Sequence, residues 1–201
     1  MLDQKGISMY INEVVKPEIE GYKMLLKTPI FNVVEGSPVE EVGGLKPIRL
    51  KAPDWVMVIV KKNNHFLVEK QLRLGPMKIV EEFPCGMVEP NELPKDAAAR
   101  ELREETGISV SSDKLIPLGI MNPNPAFMNN TMHLFALDLD DNVFEEYPLG
   151  LDEHERIEVI WKPIDLFIKD VFRNVAYGKE DVPAMLVSAI AIWKNVQYRS
   201  C

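Results

Sequence analysis

Glu101, Glu104 and Glu105 crowd together in "AAARELREETGI", flanked by Arg100 and Arg103. Like charges at helical spacing repel, at a cost of roughly 0.2–0.5 kcal/mol per pair. Such a cluster becomes favourable when it holds a divalent cation. Hard carboxylate oxygens on a rigid element suit Mg²⁺ or Mn²⁺, which keep several waters and take a substrate phosphate as a further ligand. Successive helical residues advance by about 100°, so positions 101, 104 and 105 share an arc of roughly 100°. Their side chains are expected to point together from the outer surface of the helix. The plainer alternative is a solvated face tied by the Arg100–Glu104 pair at i, i+4.

The helix that must carry them runs from Pro94 to Glu105, with Pro94 suited to its first turn and Gly107 to its C-terminal cap. Ala98 and Leu102 give it an apolar row that packs on a sheet. "WVMVIV", from Trp55, is apolar on both faces, as in a strand covered on two sides. The turn-like Lys62-Asn63-Asn64 leads into "HFLVEKQLR", and the two runs make a hairpin. Further strands are expected at Lys78–Phe83, Leu115–Met121, Met132–Leu139 and Ile157–Lys162. A second helix is expected from Asp165 to about Ala176, stopped by Gly178, and a third from near Pro183 with Leu186, Ile190 and Trp193 on one face. Strands, hairpins and helices intermingle, so the class is mixed α/β (α+β), with helices flanking a sheet.

Residues 1–52 differ in character. They mix a short helix with strand-like pieces, "TPIFNVVEG" and "LKPIRLK", broken by Gly36, Pro38, Gly43, Gly44 and Pro47. A piece of about 50 residues buries too little to stand alone. It is expected to pack on residues 53–201 or on a partner subunit.

Composition narrows the function classes. The 201-residue chain suffices for one substantial core or a domain with a small appendage, and 46% hydrophobic and 27% charged residues are ordinary for a globular protein. A net charge of -8 argues against general binding to nucleic acid or anionic membranes. Bound cations can still reverse the local sign for a phosphate substrate. Cys85 and Cys201 are the two cysteines and form no C-x-x-C pair, which gives no support to structural zinc or a disulfide framework. The start lacks a basic segment followed by an apolar run, and "WVMVIV" and "AMLVSAIAIW" fall short of the roughly 20 residues that span a bilayer. The expected location is the cytoplasm.

The decisive pattern is Gly86, five residues, Glu92, seven residues, then Arg100-Glu101-Leu102-x-Glu104-Glu105-x-Gly107-Ile108. It resembles the Nudix box, G-x5-E-x7-R-E-U-x-E-E-x-G-U with U apolar, and every defining position is filled. At typical residue frequencies a chance match in this chain falls below about 10⁻⁶. Further pieces are similar to Nudix hydrolases of the ADP-ribose type. "EKQLRLG" matches a Q-x-R element, "EEFPCG" an E-x-P-A-G-like approach with Cys85 in place of alanine, and Pro123 stands sixteen residues after Gly107. An acidic "LDEHERIEVIW" and two helices follow. The resemblance spans Trp55 to Trp193 and implies a Nudix α/β/α sandwich with a mixed sheet, plus the small N-terminal, mainly β appendage.

By that resemblance, Glu101 and Glu105 are direct ligands of Mg²⁺ (Mn²⁺ as an alternative). Glu104 is a catalytic carboxylate, touching the metal directly or through water, and the main-chain carbonyl of Cys85 is a further ligand. Glu92 and Arg100 support the loop and helix, while Gly86 and Gly107 supply special backbone geometry. A general base must stand near the attacking water. Within "DEHERIE", Glu153 resembles the base and Glu155 an additional ligand. Arg73 is assigned to a substrate phosphate and Met87 to the substrate site. The implied reaction is hydrolysis of the diphosphate bond of ADP-ribose or a related nucleoside diphosphate sugar, by a homodimer paired through residues 1–52.

The chain departs from the resemblance after Pro123, where "NPNPAFMNNTMHLF" replaces a glycine-containing loop ending in an acidic residue. Phe127 is assigned to stacking on base or ribose, with a core plug as the alternative. Asn129 and Asn130 are assigned to base edge or sugar hydroxyls. Two other readings stand beside the main one: a pyrophosphatase of damaged nucleoside triphosphates, and a non-catalytic Nudix-fold nucleotide sensor.

Overall fold

The computed structural model describes residues 21–178 and 182–197, apart from 152 and 154. The short helix expected in the first residues, Cys201 and His154 lie outside the described residues. A seven-stranded mixed sheet is built from β4 (Trp55–Lys62), β5 (His65–Arg73), β6 (Lys78–Glu82), β7 (Cys85–Met87), β9 (Ile116–Met121), β10 (Met132–Asp138) and β12 (Ile157–Pro163). Its main order is β12-β5-β4-β10-β9, with β4 and β10 parallel and the other neighbours along this path antiparallel.

Strand β4 lies in the middle, and alternation sends its side chains into two cores. Met57 and Ile59 join Phe66, Val68 and Phe83 under α2 (Ile164–Tyr177) and α3 (Ala184–Gln197). Val56, Val58 and Val60 join Leu67 under α1 (Pro94–Thr106) through Ala97, Ala98 and Leu102. Helices thus cover both faces, the three-layer sandwich of the Nudix type. The aromatic centre of the first core is Phe66, whose ring meets Trp193 edge-on at 4.9 Å and Phe83 at 5.3 Å.

The sheet forks, and the fork makes the site. Asn63 and Asn64 turn β4 into β5 with φ of 48° and 58°, the left-handed pair of a tight hairpin. Direct pairing of the two strands covers just Lys61–Phe66 and Lys62–His65. Beyond that they diverge, β6 pairs with β5, and β7 pairs with β4. Phe83 and Pro84 bridge the two short strands inside the wedge, where the Pro84 carbonyl accepts the Val58 N–H at 2.9 Å.

A separate three-stranded sheet forms from β1 (Lys23–Lys27), β2 (Asn32–Glu35) and β3 (Ile48–Lys51). It touches the main body where the Leu50 N–H donates to the Phe127 carbonyl at 2.7 Å. Val34 is its buried hydrophobic residue, whereas Leu26, Ile30, Leu45 and Ile48 stay at least half exposed. The short strands β8 (Ile108–Ser109) and β11 (Glu145–Glu146) pair with each other, so the following segment is led back over the end of α1. There the Tyr147 N–H donates to Gly107 O and the Gly150 N–H to Glu104 O, both at 2.8 Å. Among the described residues no helix is long and apolar enough to cross a membrane.

Candidate active site

Helix α1 begins at Pro94, whose missing N–H costs nothing in a first turn, and ends on Gly107 at φ 76°. Gly107 is fixed twice over, because a side chain there would also run into the Tyr147 carbonyl. Gly86, at the tip of the wedge, is fixed by contact alone. A Cβ on it would overlap the Glu101 carboxyl group, so the helix carboxylate lies directly against the β7 backbone.

Arg100 organises one side of this contact. Its Nε and Nη2 grip both oxygens of Glu92 at 2.9 Å, its Nη1 reaches Glu101 at 2.9 Å and Glu104 at 3.1 Å, and Nη2 also donates to the Met87 carbonyl. A planar guanidinium with five donors suits such a hub, and lysine could not replace it. Glu92 is thereby held below the usual carboxylate range by its hydrogen bonds from Arg100.

Glu105 behaves differently from the expectation of an outward-facing side chain. It is 3% exposed, and its Oε2 accepts the Cys85 N–H at 3.0 Å. The reason is the wedge: β7 covers the face of α1 that a lone helix would leave in water. Burial, with Glu69 nearby, pushes the Glu105 carboxyl well up. Burial also raises Glu101, despite Arg100. On the other side of the wedge Arg73 Nε donates to Glu82 at 2.6 Å and Nη2 to Cys85 Sγ at 3.2 Å. Burial pushes the Cys85 thiol up, which makes it a poor nucleophile.

Glu101, Glu104, Glu105, Cys85, Gly86, Met87, Arg73 and Arg100 all line one cleft of about 650 Å³, a volume suited to a nucleotide-sized ligand. Glu82, Glu89, Glu155, Ile30 of the N-terminal sheet, Gly150 and Met185 of α3 complete much of its wall. Glu153 instead lines a shallower groove with Lys70, Leu72 and Ile79, next to Glu155, which borders both. Arg156 Nη1 ties this loop, donating to the carbonyls of Glu153 at 3.0 Å and Glu155 at 2.7 Å. Phe127 is 44% exposed and stands outside the cleft lining and the core. Asn130 is fully buried, with Nδ2 donating to the Pro53 carbonyl at 3.0 Å, and also stands outside the lining.

Glu69 has no place in the motif reading. It lies on β5 opposite Glu82, is 1% exposed, and neither carboxylate oxygen has a hydrogen-bond partner. Burial, then Glu82, pushes its carboxyl up to about 8. The signal in the sequence is a charge at an inward position of a strand, in phase with Leu67 and Gln71.

The donor set fits a hard divalent cation. Carboxylates outnumber the guanidinium groups of Arg73 and Arg100 along the cleft, and Glu105 among them, like Glu69 behind it on β5, is buried without a cationic partner in hydrogen-bond contact. Among the described residues no three such side chains already form a cage. Arg100 and the Cys85 N–H hold the oxygens that a cage would need.

Comparison with known proteins agrees with this geometry. The NUDIX domain model matches residues 51–179. An ADP-ribose pyrophosphatase of Bacillus subtilis (strain 168) is 33% identical over 137 residues, covering 68% of this chain and 72% of that protein. A methanol dehydrogenase activator of Bacillus methanolicus is 30% identical over 131 residues, covering 65% of this chain and 68% of that protein. The solved structure of an ADP compounds hydrolase superimposes with a TM-score of 0.69 at 20% identity, covering 92% of this chain and 96% of that one, and so shares the fold. A family model spanning well over half of the sequence, and a relative one third identical across most of its length, leave one conclusion: the chain belongs to the Nudix family and is a Nudix hydrolase.

Proposed function

We propose that the protein hydrolyses the diphosphate bond of ADP-ribose or a related nucleoside diphosphate sugar, with Mg²⁺ as cofactor. The products are a nucleoside monophosphate and a sugar phosphate. The carrying observation is the convergence of Glu101, Glu104, Glu105 and Glu155 in one cleft with Arg73 and the Cys85 backbone. Glu101, Glu105 and the Cys85 carbonyl are the groups that would hold the metal, with Glu104 beside them. When bound, Mg²⁺ supplies neutralisation of the charge that develops on the diphosphate. Arg73, anchored through Glu82, presents a guanidinium to a phosphate oxygen, and Met87 forms an apolar wall.

A water attacking phosphorus must lose a proton to a group that borders the same space. Its place in the cleft supports Glu155 as that base over Glu153, which borders the neighbouring groove. A panel of ADP-ribose, other nucleoside diphosphate sugars and damaged nucleoside triphosphates, assayed with and without Mg²⁺, tests the function. AMP and ribose 5-phosphate from ADP-ribose are expected in Mg²⁺ alone. No turnover of any substrate would favour a sensor. In the same assay Glu155→Gln is expected to lower kcat with little change in KM, and Glu153→Gln to change neither. The reverse pattern would restore Glu153 as the base.

We also propose that residues 1–52 form an appendage through which two copies pair, in the cytoplasm. The support is the exposed apolar side chains of the three-stranded sheet and its loops, Leu26, Ile30 and Leu45, which remain in solvent in a single chain. Sedimentation at micromolar concentration is expected to give a dimer. A monomer at that concentration would count against the pairing.

A further inference from the structure

The cation whose charge reaches Glu69, Arg73, is already committed. Arg73 gives Nε to Glu82 and Nη2 to Cys85, and the Cys85 N–H goes to Glu105. On the opposite face of β5, Lys70 turns outward to Glu158. Glu69 itself is 1% exposed, with both oxygens unpartnered. A buried carboxylate in that condition is costly, and natural structures keep one where something binds. Its strand phase puts it on the α1 side of the sheet, in line with Leu67, and the Cβ atoms of directly paired Glu69 and Glu82 stand about 5 Å apart. Glu105 approaches the same place from the helix, near enough for the charge of Glu69 to raise its carboxyl. The Glu69 neighbours Glu82 and Glu105 both line the cleft.

We propose that Glu69 is the inner wall of the divalent-cation site, accepting hydrogen bonds from water on a cation held by Glu105 and its neighbours. The assignment rests on the cation reading given above. It adds a carboxylate that lies outside the Nudix box and reaches the site from the central sheet. Outer partners of this kind orient the bound shell, and removing one weakens metal binding by about 10–100-fold. Glu69 is in this sense a positioning residue, acting through the cation's water.

The test measures Mn²⁺ binding directly, from the electron paramagnetic resonance signal of free Mn²⁺ titrated against full-length protein, so it needs no substrate. Wild-type protein is expected to bind. Glu69→Gln, which keeps the shape and removes the charge, is expected to raise Kd at least about 10-fold, with an unchanged circular dichroism spectrum. A Kd within twofold of wild type overturns the assignment. Should Glu69→Gln fail to fold, Glu69→Asp replaces it: the shortened carboxylate is expected to bind Mn²⁺ at least threefold more weakly, and equal affinity overturns the assignment. Glu105→Gln, run in parallel, separates the two levels of inference. Defective Glu105→Gln beside normal Glu69→Gln removes Glu69 alone, whereas wild-type protein that binds no Mn²⁺ removes the cation reading of the whole cleft.

Discussion

Replacing Glu105 by glutamine is expected to lower Mg²⁺-dependent turnover at least about 10²-fold, the scale of losing one strong electrostatic stabiliser. The carboxylate is 3% exposed and points into the wedge rather than into bulk water, where its negative charge faces the cleft directly. Glutamine keeps the acceptor for the Cys85 N–H, and the fold should survive. Removing a charge that burial already disfavours should leave the metal-free melting temperature equal or higher. Added cation separates the proteins in the other direction. A ligand at about one hundred times its Kd stabilises by about 2.7 kcal/mol, and the variant should gain much less. Thermal scans with and without Mg²⁺, alongside steady-state kinetics, check both halves. A folded variant with near-normal Mg²⁺-dependent turnover would remove Glu105 from the site.

The largest loss of stability is expected at Phe66. Its ring is fully buried and meets Phe83, Phe167 and Trp193 edge-on, which joins the central sheet to α2 and α3. Phe66→Ala removes those contacts and leaves a cavity that rigid neighbours fill poorly, at about 3–5 kcal/mol. For a chain of this size that lowers the melting temperature by roughly 10 °C. Phe127→Ala is the comparator. With its ring 44% exposed, it is expected to cost about 0.5 kcal/mol and to leave KM unchanged. A raised KM would return Phe127 to the substrate. Equal melting temperatures for the two variants would contradict the assignment of the core.

What could be read in advance was local. Proline and glycine at the ends of α1, the doubly apolar β4 and the paired asparagines of the hairpin each act within a few residues, and those elements stand where periodicity puts them. The fork was not legible, because β6 and β7 occupy it through pairings with strands that no short window contains. Two consequences followed. A helical wheel shows that Glu101, Glu104 and Glu105 share a face but cannot show that β7 covers part of it, so the burial of Glu105 went unseen. Glu69, one charge within the hairpin strand "HFLVEKQLR", is buried on β5 beside the same wedge. Strand β1 was missed for another reason: its residues are all exposed in the single chain, so "KMLLK" carries no alternation to read. Within "DEHERIE" the resemblance located the loop but left its register loose, and the placements of Glu153 and Glu155 differ by a whole groove.

The wall of the cleft has two kinds of makers. Most of the charge comes from the fork and α1, which are packed against both cores of the central sheet, and Glu155 adds to it from the loop before β12. Apolar contour is added by Ile30, between β1 and β2, and by Met185 of α3, on two segments that contribute no carboxylate to the wall. Reactivity and selectivity are therefore carried by separate parts of the chain. Drift at the mouth can retune which leaving group is admitted while the bond that is broken stays the same, and an engineer seeking a new substrate would begin with those two positions and leave the wedge alone.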